Sequence, residues 1–155
     1  MRVRIEIDPE GKEEVVVRCR ELTEQVRRLR DEIMGVPSAG GEMLLTLGGR
    51  EYIVALGDVL FFESCGDRTA AHTADRMFYT DRTLSDLLGT LPGEFCRGAK
   101  SCIVNLRRIS SFHRELTGVC EVCFAGSNKK IYVSRMYYKP FRERLGEVRF
   151  GEAYH

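Results

Sequence analysis

From Gly41 onward the chain is cut into apolar runs that are short and rich in strand formers. MLLTL, EYIVAL, VLFFESC, TAAHTA and MFYT follow one another. Gly48-Gly49, Gly57-Asp58, Gly66-Asp67 and Ala74-Asp75 separate them. Many short strands with frequent turn signals predict an antiparallel sandwich or barrel. CIVNL, ISSFH, GVCEVCFA and KIYVS carry the same texture further along the chain.

Two helices interrupt the strands. Leu84, Leu87, Leu88 and Leu91 form a helical stripe that starts behind Thr83 and stops at Pro92-Gly93. Near the end, SRMYYKPFRERLGEV reads as a helix around its proline, with Tyr138, Phe141 and Leu145 on one side.

The first 40 residues have a different pattern. VRIEI at 3 to 7 alternates apolar and charged residues, which predicts a half-buried strand. DPEGK follows as a turn, and VVV at 15 to 17 reads as a second short strand. Leu22, Val26, Leu29 and Ile33 then recur at helical spacing, as a core or dimer surface would. Gly35 and Pro37 end that helix, and VPSAGG reads as a linker. The expected organisation is a strand-strand-helix element over 1–40, a mostly β domain with two short helices over 41–148, and a tail over 149–155.

With 43% hydrophobic residues in a chain of 155, a packed core is expected rather than disorder. No apolar run approaches the roughly 18 residues of a membrane span. The N-terminus lacks the apolar stretch of a signal peptide, so a cytoplasmic location is expected. In that compartment the six cysteines read as free thiols rather than disulfides. Only Cys120 and Cys123 have metal-like spacing. In a strand, residues three apart point to opposite faces, so no metal site is expected.

The chain carries no glycine-rich phosphate loop, no GxSxG and no HExxH, so neither an enzyme nor a cofactor is expected. His72 reads as a side chain on a sheet face, and His113 has no carboxylate partner in sequence. Glu63 stands at a strand end as a lone carboxylate and names no chemistry. The N-terminal element is too short for a receiver domain, so control by aspartyl phosphorylation within this chain is not expected.

Net charge is only +1, but its distribution is uneven. From Phe95 to Leu145 there are eleven basic residues, three glutamates and no aspartate, a net of +8. From Pro37 to Glu94 four basic residues face nine acidic ones, a net of −5. A basic third on a neutral protein suits a polyanion, although solvated basic faces are common.

The order of segments then becomes informative. It runs Val59-Leu-Phe-Phe-Glu-Ser-Cys-Gly-Asp67, Arg82-Thr-Leu-Ser-Asp-Leu-Leu88, Phe95-Cys-Arg-Gly-Ala-Lys-Ser-Cys-Ile-Val-Asn105 and Ile131-Tyr-Val-Ser-Arg-Met-Tyr137. This series resembles the bacterial LytTR DNA-binding family over about residues 42 to 146. Members show an acidic residue and serine after a strand, a "T-L" helix, an "F-x-R-I-H-R-S-Y-L-V-N" segment and a closing "V-S-R-x-Y". The resemblance implies a transcriptional regulator that binds double-stranded DNA through loops and strand ends placed in successive major grooves. Repeated sites and a homodimer are implied with it, and stand-alone members suggest a membrane-protein regulator.

Carried over by position, the DNA-binding residues are Asp67 and Arg68 after FFES, Arg97, Lys100 and Ser101 in CRGAKS, and Arg135 in VSR, with Lys139 nearby. On sequence position alone, Arg68, Arg97 and Arg135 read as solvated surface charges. Arg107, Arg108, Lys129 and Lys130 would be peripheral phosphate contacts at most. Asn105 ends an apolar strand and reads as a turn stabiliser. One departure stands out: Gly98-Ala99-Lys100 replaces the family's Ile-His-Arg. Lysine keeps the charge but loses the bidentate fork that reads guanine. The alternative reading is a protein-interaction module of the same fold that has lost specific DNA binding.

Overall fold

The computed structural model describes residues 4–11, 14–34 and 41–151. The chain divides into two units, Met1–Val36 and Pro37–His155. In the first, Glu24–Met34 forms helix α1. Thr23 caps it, its Oγ1 accepting from the Val26 N–H at 3.3 Å.

Among the described residues the two strands expected before α1 do not form. Residues 4–8 and 14–17 have no strand pairing, and Ile5 and Ile7 are almost fully exposed. Alternation makes a strand only where a neighbour supplies hydrogen bonds and a face to bury. Val3 and most of the linker at 36–41 lie outside the described residues.

The second unit is built around strand β7 (Cys102–Asn105), which is buried along its whole length. A strand covered on both faces has no polar side, which is why CIVN lacks alternation. The strands before it are β1 (Glu42–Leu47), β2 (Arg50–Ala55), β3 (Phe61–Cys65), β4 (Arg68–His72), β5 (Met77–Thr80) and β6 (Phe95–Ala99). Together these seven form an antiparallel sheet of order β2-β1-β5-β4-β3-β7-β6. β8 (Ile109–Arg114), β9 (Cys120–Phe124) and β10 (Lys130–Val133) make a second antiparallel sheet of order β10-β9-β8.

Each face of the large sheet has its own core. On one face Leu45, Val54, Phe62, Phe78, Phe95 and Ile103 pack with Leu84 and Leu87 of helix α2 (Leu84–Leu88). The Thr83 Oγ1 caps α2, accepting from the Asp86 N–H at 3.1 Å. On the other face Phe61, Cys102 and Val104 pack against Val122, Phe124, Ile131 and Val133 of the small sheet. Helix α3 (Arg135–Phe150) completes that layer with buried Phe141 and Leu145. Phe61 and Phe62 are neighbours in sequence yet belong to different cores, as the pleat requires.

Asn105 closes β7. Its side-chain amide donates to the Val59 carbonyl at 2.9 Å, and its oxygen accepts from the Arg107 N–H at 3.1 Å. Cys120 is buried and Cys123 half-buried, on opposite faces of β9. Helix α3 runs through Arg149 and Phe150, inside the stretch expected as a tail. Arg149 is held there because its Nη1 donates to the carbonyls of Leu106 and Ile109, at 3.0 and 2.8 Å. Residues 152–155 lie outside the described residues. Among the described residues no helix is long and apolar enough to cross a membrane.

Candidate nucleic-acid interface

Two backbone hydrogen bonds draw three distant segments to one end of the domain. The Ser64 N–H at the end of β3 donates to the Ser101 carbonyl at 2.9 Å, joining the β3–β4 turn to the β6–β7 turn. The Ser134 N–H donates to the Gly98 carbonyl at 3.0 Å, joining the start of α3 to β6. Asp67 and Arg68 therefore lie in the first segment, Lys100 and Ser101 in the second, and Arg135 in the third.

The structure gives these residues different freedoms. Lys100, Ser101, Asp67, Arg135 and Lys139 are all exposed. Lys139 follows Arg135 by four residues and shares its side of α3. Arg68 is engaged within the domain. Its Nη2 donates to Thr46 Oγ1 at 2.9 Å, its guanidinium lies 4.7 Å from the Tyr79 ring centroid, and Asp81 is 3.8 Å away. Arg97 is also occupied, with its Nη1 donating to the Lys100 carbonyl at 2.9 Å. That bond shapes the turn that presents Lys100.

The glycine at 98 has a packing reason. β6 and β7 change register between Arg97 and Ala99, so Gly98 sits in a bulge. A methyl group there would lie 3.3 Å from Val133 Cγ2. A side chain at 98 would crowd Val133 of β10, so glycine suits the close approach of the small sheet.

Ser134 caps α3 without using its hydroxyl in a capping bond, and the first turn of α3 contains no acidic residue. A cation at the N-terminus of a helix works against the helix dipole. Arg135 therefore gains nothing from its own helix, and an anion brought there meets both the guanidinium and the positive end of the helix dipole.

The rest of the basic third is dispersed. Arg107 Nε reaches buried Glu94 at 3.2 Å, and Lys130 pairs with Glu121 at 3.4 Å. Arg114 and Arg142 lie over the rings of Tyr138 and Phe112, at 4.2 and 5.5 Å. Arg144 Nε donates to the Gly93 carbonyl at 2.9 Å. A net charge of +8 along a stretch of sequence thus resolves into a small free set and a larger structural set.

One polar cluster escaped the sequence. His72 stacks on Phe61, with ring centroids 4.3 Å apart, and its Nε2 lies 2.6 Å from Glu63 Oε1. Its Nδ1 lies 3.3 Å from Lys129 Nζ, which also donates to the Arg76 carbonyl at 2.7 Å. An ammonium can only donate, so Nδ1 accepts and the imidazole proton sits on Nε2, toward Glu63. Burial holds the His72 pKa below its ordinary value despite the Glu63 carboxylate, and Lys129 adds to that lowering. The cluster fastens the β9–β10 hairpin to the large sheet. Glu63 and His72 meet as a diagonal pair across β3 and β4, a relation that only the strand register reveals.

An antiparallel domain that presents free cations from the β6–β7 turn and from the start of α3 is suited to meeting a polyanion. The LytTr DNA-binding domain family matches residues 49–146. The chain belongs to this family, and double-stranded DNA is the partner that membership assigns. It is similar to the transcriptional regulatory protein NatR of Bacillus subtilis, with 27% identity over 106 residues. That match covers 68% of this chain but only 46% of NatR, so the chain spans about half the length of that relative. In fold it resembles the LytTr DNA-binding domain of a Bacillus cereus protein. The TM-score is 0.64 at 20% identity, over 68% of this chain and 97% of that one.

Proposed function

We propose that this protein is a sequence-specific transcriptional regulator that contacts DNA at the end where β3–β4, β6–β7 and the start of α3 meet. The supporting observation is the pair of backbone bonds, Ser64 to Ser101 and Gly98 to Ser134, that gathers those segments. In this reading Arg135 reads a base edge in the major groove, where its fork matches guanine O6 and N7. Lys100, Ser101 and Lys139 contact phosphates and set the register. Asp67 and Arg68 border the neighbouring groove, and Arg97 holds the Lys100 turn in shape.

A homodimer on repeated sites belongs to the same proposal. The apolar stripe Leu22, Val26, Leu29 and Ile33 supplies a surface for it, since Leu22 and Ile33 are about half exposed. A membrane-protein partner that supplies the input signal rests on the family analogy alone.

The test is selection of bound DNA from a random pool, followed by gel shifts over a salt series. The expected result is a repeated motif whose affinity falls steeply with salt. Absence of binding at low salt would overturn the proposal and favour a protein-interaction module of the same fold.

A further inference from the structure

The hairpin between β8 and β9 is absent from the three segments described above, yet it touches the residue assigned to base reading. Its turn is tight. The Glu115 N–H donates to the Val119 carbonyl at 2.8 Å, and the Gly118 N–H donates to the Glu115 carbonyl at 2.9 Å. Gly118 has φ +92°, which L side chains rarely adopt. A methyl group built on it would lie 2.7 Å from Arg135 Cδ and 2.8 Å from Arg135 Cγ. The aliphatic stem of Arg135 therefore runs across the bare backbone of Gly118. Among the described residues no hydrogen bond or ion pair holds its guanidinium.

We propose that Gly118 is a positioning residue for DNA recognition: it provides the seat across which the Arg135 stem lies, and so sets where the guanidinium enters the groove. The inference rests on the proposed role of Arg135. Three facts carry it. Arg135 is the first residue of α3, so its Cα is fixed by the Ser134–Gly98 bond. The helix dipole repels its charge and supplies no orientation. The β8–β9 turn lies directly beside its stem, and any Cβ at 118 would occupy the space that Cγ and Cδ fill. A long side chain held along its stem loses little further freedom when its head binds.

The test is a double-mutant cycle of Gly118→Ala and Arg135→Ala, read as affinity for the selected DNA. Gly118→Ala is expected to weaken binding about tenfold in the native background. In the Arg135→Ala background it should change affinity by less than about twofold. It should also relax base preference at the same position in the site as Arg135→Ala does, which a mere loss of turn stability would not do.

Equal weakening in both backgrounds, or no weakening in the native one, would overturn the proposal. The Arg135→Ala arm alone reports on the base-reading role, so its failure is told apart from failure of the seat. Where alanine unfolds the turn, Gly118→Asn repeats the cycle. Asparagine tolerates positive φ better but still carries the obstructing Cβ.

Discussion

The two ends of α3 each lay an arginine against a glycine, with opposite consequences. At the C-terminal half, the Arg144 guanidinium lies against Gly93, donates to its carbonyl at 2.9 Å and pairs with Glu147 at 2.8 Å. At the N-terminus only the stem of Arg135 rests on Gly118, and the head extends free. Arg149 and Lys139 repeat the contrast. The first is bonded to two carbonyls, while the second is exposed without a bond among the described residues. Basic side chains of one helix thus serve stability where their donors meet carbonyls, and in the proposed function those left without such partners serve binding.

Arg149→Ala should break the comparison most severely. It leaves the carbonyls of Leu106 and Ile109 without their charged donor, at a cost of about 2–3 kcal/mol of stability. Chemical denaturation measures this, and DNA affinity of the folded fraction should be unchanged. Stability within about 0.5 kcal/mol of the native protein would show that the C-terminal end of α3 is not the structural one.

Arg135→Ala should do the reverse. Denaturation should shift by less than about 0.5 kcal/mol, while specific binding weakens by roughly 1–3 kcal/mol with relaxed preference at one base position. An unchanged footprint and affinity would move base reading elsewhere on this end of the domain.

What the sequence made legible follows from the range of each interaction. The helical stripe Tyr138, Phe141 and Leu145 is local, and α3 forms over it. Pro140 and Met136, whose carbonyl loses its helical donor to the proline, are both exposed on α3, so the proline takes no bond from the core. The strands of the β domain were legible for the same reason. VRIEI misled because alternation is also local, whereas a strand needs a distant edge. The ordered motifs identified the family and named candidate residues. They could not separate Arg135, which is free, from Arg97 and Arg68, which are engaged within the domain. That distinction depends on strand order β3-β7-β6 and on the bulge at Gly98. Gly118 was invisible for the same reason, because its contact spans two elements that are not paired in any sheet.

A smaller effect concerns how the small sheet, against which α3 packs, is fastened to the large one. His72 has a depressed pKa in the fold, so the unfolded chain binds the extra proton first. Stability from this site is then complete above the unfolded histidine value of about 6.5 and is lost as pH falls below it. Thermal unfolding between about pH 7.5 and 5.5 should show this decline, and His72→Gln should flatten it. Glutamine keeps a donor toward Glu63 but does not titrate. Identical slopes for the two proteins would remove His72 from the fastening.

The smallest effect tests the free end of α3 once more. Lys139 lies one turn beyond Arg135, exposed and without a hydrogen bond or ion pair among the described residues. An ammonium on a loose stem is a point charge without directional preference, which suits a phosphate and not a base edge. Lys139→Ala should therefore weaken binding to every sequence alike and lower the slope of log affinity against log salt by about 1. Base preference should stay as it is in the native protein. A changed preference would mean that Lys139, and not Arg135 alone, reads sequence, and an unchanged salt slope would place it outside the interface. The two side chains share a helix face and a charge, so any difference between them comes from the seat under Arg135 and the fork at its end.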